Sequence, residues 1–228
     1  GRAETVTAVL GWNVPLEASL AGAATFSGPL GDVAARGNVS LTHGVAYGQP
    51  FDRLGGNFSY GDGMFSVSGV EGSVRGGVVR LDGGGRWSGP WRLTVRADEV
   101  PLQAVAVVRD SRPDVSGLAA FDGVVEVEAP GAPVSASGTL AGRHLYVGSV
   151  AFSVAEGRAV LRDGDLTAER LSLQRTRGGT YTVSGTVSDA TDRASLDLTI
   201  DVVNESAGDL TALLGWTPPV PVTGDVSA

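Results

Sequence analysis

Residues 177–202 read RGGTYTVSGTVSDATDRASLDLTIDV, and this stretch decides the fold class of the chain. Its second half alternates apolar and polar residues at nine consecutive positions, the apolar members being Ala194, Leu196, Leu198, Ile200 and Val202. A period of two is typical of a β-strand with one dry and one wet face. We therefore predict a β-hairpin here that is apolar on one side.

The same pattern occurs earlier in the chain, at a spacing of about 101 residues. The landmarks that recur are Arg75-Gly76-Gly77 with Arg177-Gly178-Gly179, Asp62-Gly63 with Asp163-Gly164, Gly37 with Gly138, His43 with His144, and, after two intervals, Leu10-Gly11-Trp12 with Leu214-Gly215-Trp216. Different residue types that recur at one offset indicate an internal repeat. We predict a first repeat unit at 1–110 with a truncated start, a second unit at 111–214, and the start of a third at 215–228. The chain is thus expected to be a piece of a longer repetitive protein.

The composition fits a chain of many short strands joined by turns. Of the 228 residues, 34 are glycine and 11 are proline, and 42% are hydrophobic. The glycines show no Gly-X-Y period, which excludes collagen, and the apolar content is ample for a core. The Asp-Gly pairs predict tight hairpin turns, because glycine accepts a positive φ without a Cβ clash. Short helical turns are expected only at 100–109 and 208–214.

Charge and cysteine content exclude several classes of partner. The net charge of −8 argues against nucleic acid, because phosphate binding needs clustered cations. With no cysteine there is neither a disulfide framework nor a thiolate metal site. No apolar run approaches 18 residues and no signal peptide is recognisable, so we expect any anchor to lie outside this segment.

The sequence contains none of the motifs that we associate with catalysis. It has no Gly-x-Ser-x-Gly elbow, Walker loop, Gly-x-Gly-x-x-Gly or His-Glu-x-x-His. His43 and His144 occupy equivalent places one repeat apart, which favours a structural role over a metal ladder. We therefore predict that the chain is not an enzyme and has no cofactor, with a carbohydrate-active enzyme as a remote alternative because opposed carboxylates are invisible in sequence.

Two further sets of residues have both a structural and a ligand-binding interpretation. Aspartates beside glycines could bind calcium, but their spacing fits no known calcium loop and hairpin turns explain them better; the set is Asp62, Asp82, Asp163 and Asp165. Tryptophans could form a sugar-stacking platform, but packing at unit junctions is the plainer role for two of them; the set is Trp12, Trp87, Trp91 and Trp216. Trp87 and Trp91 have no counterpart in the second unit, which makes them candidates for a local contact.

The dry face of the predicted strands is the remaining functional feature. An apolar face must be covered by a second layer, by its own curling, or by a ligand. Aromatic residues make up only 6% of the chain, and the inward set is mostly Val, Leu and Ala. The sheet is therefore expected to leave an apolar trough, and acyl chains are the substances that it would shelter, at about 0.8 kcal/mol for each methylene removed from water.

In its general sequence pattern the chain resembles the TamB and AsmA-like proteins of bacterial envelopes. The features that carry the resemblance are the repeated Gly-rich alternating strands, the run PFDRLGGNFSYGDG at 50–63, the Arg-Gly-Gly strands, and Asp-Leu-x-x-Leu-Leu beginning at Asp209. The resemblance implies an all-β fold, an elongated repetitive antiparallel sheet folded into a U-shaped β-taco with an apolar groove. It also implies an inner-membrane-anchored protein that spans the periplasm, carries phospholipids, and assists outer-membrane biogenesis with a barrel assembly partner. It supplies no catalytic residues.

From the alternation we assign the residues that line the groove and contact phospholipid acyl chains. The set is Phe65, Val67, Leu93, Val95, Phe152, Val154, Leu171, Leu173, Tyr181, Val183, Leu196, Leu198, Ile200 and Val202. The alternative is a structural β-solenoid or repeat sandwich of a surface adhesin or autotransporter passenger. In that case the apolar faces would be covered by the protein's own side chains, and no groove would remain.

Overall fold

One twelve-stranded antiparallel sheet dominates the structure. The computed structural model describes residues 2, 16–29, 33–46, 48–111, 114–129, 132–188, 195–206 and 225–226. The fold is all-β, with 81% strand and 4% helix, and the sheet is not closed into a barrel. The prediction of an all-β antiparallel sheet is confirmed.

The strands follow one another in the sheet in the order in which they occur in the chain. The first six are β1 Leu16–Ser27, β2 Ala34–Ala46, β3 Gln49–Gly61, β4 Met64–Val74, β5 Gly77–Arg86 and β6 Trp91–Pro101. The second six are β7 Val115–Val127, β8 Val134–Val147, β9 Val150–Arg162, β10 Asp165–Arg175, β11 Thr180–Ser188 and β12 Ser195–Val203. Each strand is hydrogen bonded to the next, and β1 and β12 are the outermost of the twelve strands.

A short helical segment separates the two sets of six strands. It consists of a 3₁₀ turn, Leu102–Ala104, and a helix α1, Ala106–Ser111. The predicted helical turn at 100–109 is confirmed, whereas that at 208–214 lies outside the described residues. The sheet continues past this segment, because β6 pairs directly with β7. Neither helical element in the described part of the chain is long or apolar enough to cross a membrane.

The segment is tied to the sheet at the start of β3. The Gln49 amide donates from Nε2 to the carbonyl oxygen of Ala104 at 2.9 Å, and its Oε1 accepts the N–H of Ala106 at 2.9 Å. Ala104 itself is 1% exposed. The helical segment is therefore anchored to the start of β3.

The Asp-Gly pairs form the predicted tight hairpins. Asp62 and Gly63 have φ values of 51° and 67°, and Asp163 and Gly164 have φ values of 53° and 87°. Positive φ at both central residues is the geometry of the two-residue turn that matches strand twist. These turns join β3 to β4 and β9 to β10.

β-Bulges recur at the repeat spacing. His43 and His144 both have a φ of 51°, and each lies in a strand where the neighbouring register shifts. A bulge inserts one residue and turns the following side chains to the other face. Bulges therefore let the apolar face persist where simple alternation along a strand would break.

A short two-stranded sheet follows β12. It pairs β13, Glu205–Ser206, with β14, Asp225–Val226. Apart from Asp225 and Val226, the predicted third unit lies outside the described residues.

Candidate functional site: the apolar face

A row of apolar residues crosses the sheet from edge to edge. Cross-strand partners share one face of a sheet, so the register defines the row. Its members, from β1 to β12, are Leu20, Leu41, Leu54, Gly72, Val79, Ala97, Phe121, Leu140, Gly157, Leu171, Val183 and Ile200. None of them is charged or polar. We call the side of the sheet that contains this row the apolar face.

The neighbouring row, one residue away in each strand, has the opposite character. Its members, from β2 to β10, are Ser40, Gly55, Glu71, Arg80, Arg96, Asp122, Thr139, Arg158 and Arg170. This polar face carries exposed ion pairs, such as Arg80 Nε to Glu71 Oε2 at 3.1 Å and Arg92 Nη1 to Glu126 Oε1 at 2.6 Å. The sheet is thus amphipathic from β2 to β10.

Much of the apolar face is only partly shielded from solvent. Phe26 is 66% exposed, Ile200 is 51% exposed and Leu198 is 37% exposed. Two small clusters of buried residues are present, one formed by Ala18 and Leu41 and the other by Phe152, Tyr181 and Val202. Large apolar side chains that stay exposed or partly exposed on one face of a sheet mark a surface that meets something else.

Aromatic rings on this face reach over intervening strands. Phe152 on β9 and Tyr181 on β11 meet edge to face with ring centroids 5.9 Å apart, although β10 lies between them. Phe65 on β4 likewise contacts Trp91 on β6, with centroids 6.0 Å apart. Such contacts tie second-neighbour strands together on the apolar side.

Glycines lie beneath some of these side chains. A Cβ added at Gly123 would lie 2.6 Å from Phe121 Cζ, and one added at Gly138 would lie 2.7 Å from Phe121 Cε2. The ring of Phe121 therefore covers two glycines on adjacent strands. A larger residue at either glycine would displace the ring away from the sheet.

The register brings nearly all of the predicted groove residues to the apolar face. Those placed there are Phe65, Val67, Leu93, Val95, Phe152, Leu171, Leu173, Tyr181, Val183, Leu198, Ile200 and Val202. Leu196 pairs in the register with Val187, the next partner pair along β11 and β12.

Val154 is the exception. It pairs with Gln174 on β10 and Arg143 on β8, whereas Phe152 pairs with Arg175 and Leu145. A register shift between Gln174 and Arg175 makes Ser153 an extra residue, so Phe152 and Val154 are on opposite faces. The expectation that both share a face is wrong, because the sequence does not show the bulge.

The sequence did not predict the contact of Phe65 with both Trp87 and Trp91. The ring centroids of Phe65 and Trp87 are 5.8 Å apart, and Trp91 contacts the same Phe65. The local contact expected of the two tryptophans is therefore with this phenylalanine. The signal available in sequence was their position on either side of the β5–β6 turn.

Phe65 and Trp87 border a cavity over the first four strands. Its volume is about 470 Å³, and its lining is mostly hydrocarbon, including Leu20, Val39, Phe58 and Val67. No charged side chain lines it. The cavity is open to solvent on one side and lies on the apolar face.

A buried polar cluster stands at one end of the apolar face. Glu205 is 0% exposed and accepts hydrogen bonds from Arg175 Nη1 at 2.8 Å, the Tyr181 hydroxyl at 2.6 Å, and the backbone N–H groups of Gly179 at 3.3 Å and Ser206 at 3.1 Å. Burial alone would raise the pKa of Glu205, but these hydrogen bonds lower it below its ordinary value. Burial and the bond to Glu205 raise the pKa of Tyr181 to about 12. The ion pair between Arg175 and Glu205, together with the Tyr181 hydroxyl, links β10, β11 and the residues after β12.

The residues considered for metal binding do not converge. Within the described ranges no group of three or more His, Asp or Glu side chains is placed to hold an ion. Asp82 instead accepts the N–H of Gly69 at 2.7 Å, beside a bulge in β4. Asp62 and Asp163 serve the hairpin turns.

No protein-family model, curated protein or solved structure matches this chain.

Proposed function

We propose that this chain is a segment of an envelope-spanning protein of the TamB and AsmA-like kind, whose apolar face forms a groove for phospholipid acyl chains. In this proposal the segment acts without catalysis, in the periplasm. The tether to the inner membrane and the contact with an outer-membrane barrel assembly partner would come from the full-length protein. The U-shaped curvature that turns the face into a groove is part of the proposal.

The uncharged row across all twelve strands supports this proposal most directly. A ligand that moves along the sheet from strand to strand would meet hydrocarbon at every step, with the charged row one residue away on the other side. Each methylene transferred from water to such a surface gains about 0.8 kcal/mol. A continuous apolar path without polar interruptions is the property that a conduit for hydrocarbon chains requires.

The strand topology is a second argument. A parallel β-helix, one form of the surface-protein alternative, stacks parallel coils. Here every adjacent pair in the large sheet is antiparallel. The meander thus favours a single sheet that presents one side to a ligand.

Photo-crosslinking tests the proposal. The purified chain is incubated with a phospholipid that carries a photoreactive group on an acyl chain, and labelling is measured after irradiation. We expect Val95→Asp and Leu198→Asp to reduce labelling at least ten-fold, because a carboxylate on the apolar face repels hydrocarbon. The controls Thr199→Asp and Val154→Asp place the same charge on the polar face and should leave labelling unchanged.

Equal labelling of all four variants would remove the support for a one-sided lipid path. An apolar dye that finds no binding surface on the wild-type chain would instead favour the packed-shut surface protein.

A further inference from the structure

We infer that the cavity over β1–β4 is a discrete binding site for one unbranched hydrocarbon chain of an amphiphile. This inference deepens the proposed function, on which it rests, by placing one chain at one position of the sheet. Nothing in the repeat pattern requires such a site, since a uniform trough would hold chains equally along its length.

The shape of the cavity selects an elongated ligand. Its lining follows β1 from Leu16 to Phe26, and ten residues of strand extend over about 33 Å. Its volume of about 470 Å³ is within the range of about 300–1,000 Å³ that is usual for small-molecule sites. A space of this volume that is lined along such a length is narrow, so it suits an extended chain better than a compact ring system.

The lining selects an uncharged chain for the part of the ligand inside the cavity. Aliphatic side chains form one end of the cavity, near Leu20 and Leu41, and aromatic rings form the other, at Phe58, Tyr60 and Trp87. Tyrosine and tryptophan are amphipathic and favour positions where one side is apolar and the other is wet. The aromatic end is therefore where the polar head of the amphiphile would emerge.

The second half of the chain lacks the aromatic residues that form this end of the cavity. The counterparts of Phe58 and Tyr60, 101 residues on, are Ala159 and Leu161, and that of Trp87, 102 residues on as for Arg75-Gly76-Gly77, is Asp189. The repeat keeps the apolar alternation but loses the rings. The aromatic site thus belongs to the first unit alone and would fix one chain in place.

Bromine quenching of tryptophan fluorescence tests this site. Stearic acid dibrominated at mid-chain is titrated into the full chain, with unbrominated stearic acid as the matched probe. We expect saturable quenching by the brominated acid alone. Trp87→Phe should reduce the quenched amplitude, because Trp87 borders the cavity and a phenylalanine conserves the ring.

Charge variants locate the bound chain. Val67→Asp puts a carboxylate into the cavity wall and should weaken binding at least ten-fold. Ser68→Asp is the control, because Ser68 is exposed on the polar face, where it pairs with Asn57. Circular dichroism verifies that both variants fold.

A bromine scan on the unmodified chain does not depend on any variant. Fatty acids brominated near the carboxylate, at mid-chain and near the methyl end should quench to different extents, with one clear maximum. A flat profile, or equal binding by Val67→Asp and wild type, would overturn the site. A phosphatidylglycerol with the same brominated chains distinguishes the source: quenching by both probes indicates a phospholipid chain, and quenching by the free acid alone indicates a fatty acid.

The experiments can reject the discrete site and the lipid conduit independently of each other. Loss of the quenching signal with crosslinking retained at Val95 and Leu198 would reject the discrete site and leave the conduit. Quenching at Trp87 without any crosslinking along the second six strands would reject the conduit and leave the site.

Discussion

Replacing Glu205 with glutamine should cost far more stability than any surface charge in this protein. The carboxylate is 0% exposed, its partner Arg175 is 15% exposed, and four donors converge on the two oxygens. Breaking a buried ion pair by removing one charge typically costs about 3–5 kcal/mol, because the other charge remains buried without its partner. We expect Glu205→Gln to lower the free energy of unfolding by about 3 kcal/mol at pH 7.

Urea unfolding followed by circular dichroism measures the effect. Glu126→Gln is the matched control, because Glu126 pairs with Arg92 at 2.6 Å but the two side chains are 49% and 66% exposed. An exposed pair of this kind contributes about 0–1 kcal/mol, since solvent screens it. Losses of equal size in the two variants would refute the argument that burial sets the energy of the Glu205 cluster.

An apolar replacement of the whole cluster gives the opposite expectation. Val100 occupies a comparable place in the first half: it is 8% exposed and follows Glu99, which has a positive φ, as Glu205 follows Asn204. Buried ion pairs can often be replaced by packed apolar groups at little cost. The triple variant Arg175→Met, Tyr181→Phe and Glu205→Leu should therefore be within about 1 kcal/mol of wild type, and a loss as large as that of Glu205→Gln would contradict this.

Two further predictions concern the same sheet. The pKa of Tyr181 is raised to about 12 from an unfolded value of about 10, so the neutral phenol contributes stability that is complete below pH 10 and is lost as the pH rises toward 12. Urea titrations should show wild type losing about 2–3 kcal/mol more than Tyr181→Phe over that interval, and parallel curves would contradict the shift. Gly138→Val should lower the free energy of unfolding by about 1–3 kcal/mol. The reason is that the added Cβ would lie 2.7 Å from both the backbone Cα of Gly123 and the ring of Phe121. Ser137→Val, one residue away on the polar face, should have little effect in the same assay.

Sequence reasoning succeeded where a rule acts over a few adjacent residues. Alternation at 194–202 predicted the strand Ser195–Val203, and Asp62-Gly63 and Asp163-Gly164 predicted hairpin turns that the structure confirms. These features follow from side-chain direction along an extended backbone and from the φ values that glycine permits. Neither depends on what lies across the sheet.

The face of a residue beyond a bulge could not be predicted in this way. Val154 follows Phe152 by two positions, yet the extra residue Ser153 puts the two on opposite faces. A bulge is fixed by hydrogen bonding to the neighbouring strand, so it leaves no periodic signal in its own sequence. The cavity beside Phe65 and Trp87 is equally hidden, because its lining depends on the register that brings β1, β3, β4 and the β5–β6 turn together.

By itself the sequence determined the all-β class, the hairpin turns, and the alternation of apolar and polar residues along the strands. Only the tertiary structure decided the order of twelve strands in one unclosed sheet, the alignment of their apolar residues into a single row, and the burial of Glu205 beside Arg175 and Tyr181. The physical reason is that periodicity records which way each side chain points along its own strand. Register, bulges and burial depend on the partner strand, and that partner is chosen by the energy of the whole sheet.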